Sequence, residues 1–223
     1  CKCINYKFLS KIYDFRNSEA IDLFPMFERD ILMFIDFEQS YTDHNGDLTT
    51  NTYASDWWEF IDNAPQHFSP SGNAVRVGND DYKRFKNVTI PRFVELLKSF
   101  LLDITQEVNR LLKDEFCEDF TVDFDVDAIE CDYNKSISQR AKDGIIHRPK
   151  IPLKVNFNTN KLSKAKKMIA KPHTFLNEAR LTAIALAIRL AILDRRPVFP
   201  NTARILVLND LLLSIDMSNR GKV

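Results

Sequence analysis

Asp210 closes an apolar run, Ile205-Leu206-Val207-Leu208, with Asn209 standing between the run and the acid. A buried strand that ends in polar side chains delivers them to the crevice at the strand ends, where open α/β sheets bind ligands. In phosphoryl transfer one such side chain could help to hold magnesium through its water shell, and a neighbouring one could polarise the attacking water. Here Asn209 stands in the first role and Asp210 in the second. Alone the pattern also fits an ordinary core strand, since many buried strands end in Asp. Upstream, Asn177 precedes Glu178-Ala179-Arg180 and then the run LTAIALAIRLAIL. Asn is a good helix N-cap. The N–H groups and dipole of the helix behind it favour a phosphate. An ordinary capped core helix is the competing reading. A third piece, Ser214-Ile215-Asp216, follows the strand at close spacing.

These residues need elements to position them. The helix predicted over 178–196 is apolar nearly all round, with Arg189 the main exception, and Pro197 and Pro200 end it. Such a helix is buried on most sides. ARILVLND then reads as a fully buried strand of the kind found in parallel sheets. Helix, short loop, buried strand and terminal acid together form an α/β nucleotide-domain pattern. Phe120, Val122, Phe124 and Val126 alternate with polar residues, as do Ile151, Leu153, Val155 and Phe157, so both segments are predicted strands with one buried face. The polar stretch between them is expected to be an exposed loop. Lysines 161, 164, 166, 167 and 171 cluster after the second strand, as a solvated loop or a phosphate-backbone contact.

Ile90, Val94, Leu97, Leu101, Ile104, Val108 and Leu111 follow a 4-3-4-3-4-3 spacing, a heptad seam. Thr89 is the expected N-cap and Pro91 a tolerated first-turn residue. The helix over about 90–115 would be roughly 40 Å long. It is either an amphipathic helix packed on a domain or the end of a coiled-coil arm. Before it, DLFPMFERDILMFIDF is expected to be helical after Pro25, and residues 40–87 an irregular module with short helices.

The chain has 223 residues, 44% of them hydrophobic, enough for one sizeable core. Lys plus Arg and Asp plus Glu number 31 each, so no global charge drives it towards nucleic acid, and a DNA contact would need a local patch. Cys1, Cys3, Cys117 and Cys131 have neither metal-site nor disulfide-framework spacing, which points to a reducing, cytoplasmic setting. No apolar run nears the roughly 20 residues that span a bilayer, and the opening CKCINYKF is not a signal peptide. With no initiating Met, the chain is expected to be a piece of a longer polypeptide.

Taken in order, FLNEARLTAIALAIRLAIL and ILVLNDLLLSIDMSNR resemble the signature helix, Walker B strand and D-loop of SMC/RecF/RecN-like (ABC-type) coiled-coil ATPase heads, within a bacterial FLNEARL-signature group. The resemblance covers residues 116–223. It implies an α/β fold, a partial P-loop NTPase head lobe built from both chain ends, with a coiled-coil arm between them. Residues 88–115 would then be the arm end, and 1–87 an arm-distal or insertion module. It further implies ATP and Mg²⁺ as cofactors and a homodimer through ATP-sandwiched heads. Asn177, Glu178, Ala179 and Arg180 would contact the nucleotide in trans, Ser214 and Asp216 would form the D-loop, Asn209 and Asp210 would lie at the metal, and Asp210 would be catalytic. The expected role is ATP hydrolysis in DNA repair or defence against foreign DNA.

Two departures qualify the expectation. Asn209 stands where the family has Asp, which removes a negative charge beside the cation and should weaken hydrolysis. No G-x-x-x-x-G-K-[ST] occurs, and the five glycines are scattered. The head is therefore expected to be incomplete, lacking the phosphate-gripping loop and the downstream switch-His strand, and inactive alone. Two alternatives stand beside the ATPase: an ATP-gated scaffold disabled by Asn209, and an interaction module in which Trp57 and Trp58 dock a partner protein. The Trp pair reads first as core, and as a docking element only in that alternative.

Overall fold

A computed structural model gives the fold and describes residues 2–4, 21–63, 80–134, 145–157, 168–169, 178–195 and 206–208. The chain combines helices with a small antiparallel sheet and a separate parallel strand pair. It divides into two compact units: residues 1–30, 101–126 and 151–223 form the first, and 31–100 and 127–150 the second.

In the first unit, β1 (Lys2–Ile4) pairs in parallel with β7 (Leu206–Leu208). A three-stranded antiparallel sheet has the order β2 (Phe120–Phe124), β5 (Leu153–Phe157), β6 (Met168–Ile169). The β2–β5 register sets Phe120 opposite Phe157 and Phe124 opposite Leu153. Alternation works here as the sequence predicts: Phe120, Val122, Phe124, Leu153 and Val155 are buried, while Thr121, Asp123 and Lys154 are not. The other edge of β2 is satisfied by a side chain. Asn109 accepts a hydrogen bond from the Val122 N–H (2.8 Å) and donates one to its carbonyl (2.9 Å), copying the pairing of a neighbouring strand.

Helix α1 (Phe24–Asp30) opens on Asp22, whose carboxylate accepts the Phe24 N–H and also the Ile151 N–H, both at 2.9 Å. One carboxylate thereby caps a helix and fastens it beside β5. Helix α5 (Glu178–Asp194) is buried at every position from Leu181 to Arg189. Nine consecutive buried residues cover all sides of a helix of 3.6 residues per turn, as its composition predicts. Arg189, only 5% exposed, donates to the Asp30 carbonyl at 2.7 Å, so its charge meets a polar partner.

The second unit contains α2 (Ala54–Asp62), α3 (Asp80–Arg84), a π-helical turn (Phe85–Thr89) and the first part of α4 (Ile90–Asp114), whose residues from 101 onward belong to the first unit. Trp57 and Trp58 are buried in this core. Trp57 Nε1 donates to the Gln39 carbonyl at 3.0 Å, and Trp58 stacks on Phe93 with ring centres 5.7 Å apart. The reading of the pair as an exposed docking element gives way to the core reading, because both indoles are covered and the Trp57 N–H has a partner.

Thr89 is not an N-cap. Arg84 and Ile90, on either side of the π turn, both have right-handed helical angles, so helical backbone runs from Asp80 to Asp114. Pro91 explains the interruption. It has no N–H for the carbonyl four residues back, and its ring would press on that carbonyl; a wider turn before it relieves both problems. The segment expected to be an exposed loop between the two strands contains a ladder instead. Strands β3 (Asp132–Asn134) and β4 (Ile145–His147) pair antiparallel, with Tyr133 opposite Ile146. Tyr and Ile favour strands, but three residues are too few for alternation to register. Among the described residues, no helix is long and apolar enough to cross a membrane.

Candidate functional site

Of the strand predicted over ARILVLND, Leu206–Leu208 is described and forms β7; its partner is β1 from the opposite end of the chain, with Lys2 opposite Leu206 and Ile4 opposite Leu208. Two parallel strands so remote in sequence require a long crossover. That crossover includes α5, which begins at Glu178, the residue after the predicted N-cap. Ala179 is partly buried in its first turn. Asn177, Asn209, Asp210, Ser214 and Asp216 lie outside the described residues, as does the cluster of Lys161, Lys164, Lys166, Lys167 and Lys171. Among the described residues, no group of His, Cys, Asp or Glu is placed to hold a metal ion.

Among the predicted site residues, Arg180 is the one held by described side-chain contacts. Its Nε lies 3.2 Å from Glu118, and its Nη2 donates to Asp119 at 3.2 Å. The guanidinium also sits over the Phe120 ring, 5.7 Å from its centre. The first turn of α5 is thus tied to the segment that leads into β2. A local turn brings the carboxylates there. After α4 the backbone passes through the left-handed region at Cys117 (φ 54°), and the Glu118 N–H returns to the Leu112 carbonyl at 2.9 Å. Glycine is the usual residue at such a helix end. The Glu118 side chain is 8% exposed, whereas Arg180 is about one-third exposed and Asp119 more than half. The Arg180–Glu118 contact is therefore the shielded half of the cluster.

Sequence reasoning assigned Arg180 to the nucleotide and did not assign Glu118 or Asp119. The signal was present as an acidic pair immediately before a predicted strand, but nothing in the spacing joins positions 118 and 180.

The heptad seam of α4 is also accounted for within the chain. Ile90, Leu97, Leu101, Ile104, Val108 and Leu111 are buried, and Val94 is partly so. Elsewhere, burial pushes the Cys131 thiol up to about 12, with Asp132 and Asp62 adding to the effect, so it is protonated at neutral pH. At the Asp43–Asp47 turn burial opposes ionisation of Asp43, but the N–H groups of Asp47 and Asn45 outweigh it and hold that carboxyl below its ordinary range. These bonds close a tight turn around Gly46 (φ 92°). Comparison with protein-family models, curated proteins and solved structures found no match.

Proposed function

We propose that this chain is part of an ABC/SMC-type ATPase head, and that the full-length polypeptide binds and hydrolyses ATP as a head-to-head homodimer, in DNA repair or defence against foreign DNA. The observation that carries the reading is the ordered set of pieces in the sequence: the capped apolar helix from Asn177, the strand ending in Asn209-Asp210, and Ser214-x-Asp216. The parallel pairing of β7 with β1 supports it, because a nucleotide head of this kind is built on parallel strands contributed by both chain ends. Asn177, Glu178 and Ala179 would offer the helix N-terminus to a phosphate. Asn209 would help to hold Mg²⁺ through its water shell, without the charge of a carboxylate, and Asp210 would stand beside it. Asp210 would accept the proton of the attacking water, and its short side chain would reach it directly or through a second water.

The diagnostic experiment is Asp210→Asn in the full-length protein. Turnover should fall about 100-fold or more, while ATP binding and ATP-driven dimerisation survive. An equal loss of ATP affinity would assign Asp210 to the metal and shift the register by one residue. Asn209→Asp should raise the Mg²⁺-dependent rate, because it restores a negative charge beside the cation. ATP-driven dimerisation without turnover in the wild type would favour the scaffold reading.

A further inference from the structure

We infer that Arg180 is a positioning residue that orients the phosphate-facing end of α5 by holding Glu118 and Asp119, and not a ligand of the nucleotide. The inference rests on the ATPase reading above and changes the role of one of its residues. The resemblance of FLNEARL to the signature helix would set Arg180 within the nucleotide-facing turn. In the structure its guanidinium is already engaged by two carboxylates at 3.2 Å and stacked over Phe120. A planar fork held on two sides and covered on one face fixes its own direction, and with it the helix turn that carries it.

The anchor on the other side is stiff. Glu118 follows the left-handed turn at Cys117, and its N–H is bonded to the end of α4. Phe120 starts β2, which is paired along its length with β5. The first turn of α5 is therefore referenced to a hydrogen-bonded turn at the end of α4 and, through Phe120, to the edge of the sheet. Donors on a helix end act on a phosphate only if they point at it when it arrives, so a small rotation of this turn costs rate without removing any donor.

This distinguishes positioning from direct binding. Neutralising Glu118 leaves every group that would touch the nucleotide in place. In the full-length protein, Glu118→Gln should lower kcat about tenfold with KM for ATP within about twofold. Arg180→Ala should lower kcat at least as far with the same small change in KM, and the double variant should be no slower than Arg180→Ala, because that substitution already removes the Glu118 contact. Arg180→Lys should recover part of the rate, since an ammonium can still reach a carboxylate. Thermal melting of each variant separates loss of orientation from loss of fold. Full activity of Glu118→Gln beside an inactive Arg180→Ala would overturn the inference and make Arg180 a ligand. A large rise in KM with kcat unchanged would overturn it likewise. A wild-type protein with neither ATP turnover nor ATP-driven dimerisation would fail at the earlier step, sinking the ATPase reading and this inference with it.

Discussion

Helices α4 and α5 solve the same packing problem in opposite ways. Helix α4 has an inner seam and an outer face: Leu101 is 0% exposed and Leu102, its neighbour, 54%. Helix α5 has no outer face between Leu181 and Arg189. The first is written as a period, the second as a composition. A periodic helix can carry charge along one side at no cost. A helix buried all round can place polar groups only at its ends or where a partner waits, as Arg180 and Arg189 do. Exposed polar groups on α5 are thereby confined to its two ends.

The contrast can be broken by substitution, and the largest effect belongs to α5. Ala185→Asp puts a carboxylate where there is neither water nor partner, and should destabilise by about 4 kcal/mol or more, whereas Leu102→Asp on α4 should stay within roughly 0.5 kcal/mol. Equal urea midpoints for the two variants would erase the distinction. Next, Leu101→Ala should cost about 2–5 kcal/mol and Leu102→Ala less than about 0.5 kcal/mol, measured as the shift in denaturation midpoint. If adjacent leucines behave alike, the two-faced description of α4 fails. Asn109→Ala removes both bonds to the open edge of β2 and should cost about 1–3 kcal/mol; hydrogen exchange at the Val122 N–H should accelerate. The smallest effect runs the other way: Cys117→Gly relieves a left-handed backbone at the end of α4 and should stabilise by about 0.5–1 kcal/mol. A drop in stability would show that the thiol contributes contacts worth more than the backbone strain.

Helix α4, β2 and β5 were legible in the sequence because heptad spacing and alternation persist long enough to stand out. Helix α5 and the apolar strand at β7 were legible instead as unbroken apolar runs. Its pairing with β1 was not: a three-residue strand at the far end of the chain carries no period, and parallel partners leave no local mark. The ladder of β3 and β4 escaped similarly. The π turn was invisible because Pro91 was read as a helix start, where its missing N–H costs nothing. At the candidate site, the position of α5 followed from Asn177, but the partners of Arg180 depend on a contact across 61 residues. Periodicity reports which side of an element is buried. It does not report which charged group on another element comes to meet it.

The π turn at Phe85–Thr89 has a consequence for what mutation can do to this segment. An added residue in a helical ladder turns everything beyond it by about 100° about the axis. What must be held is the angle at which Tyr82 and Phe85 enter their core relative to Phe93 and Leu97, all four of which are buried. The wider turn is underwound by about as much as one residue adds, so a one-residue deletion that closes it to a plain α-helix would keep that angle, whereas a one-residue insertion in the α-helical part that follows would turn Tyr82 and Phe85 away from Phe93 and Leu97. The π turn is thus the place in this segment where the loss of one residue should disturb the flanking faces least, while the same loss within α4 would shift its whole buried seam.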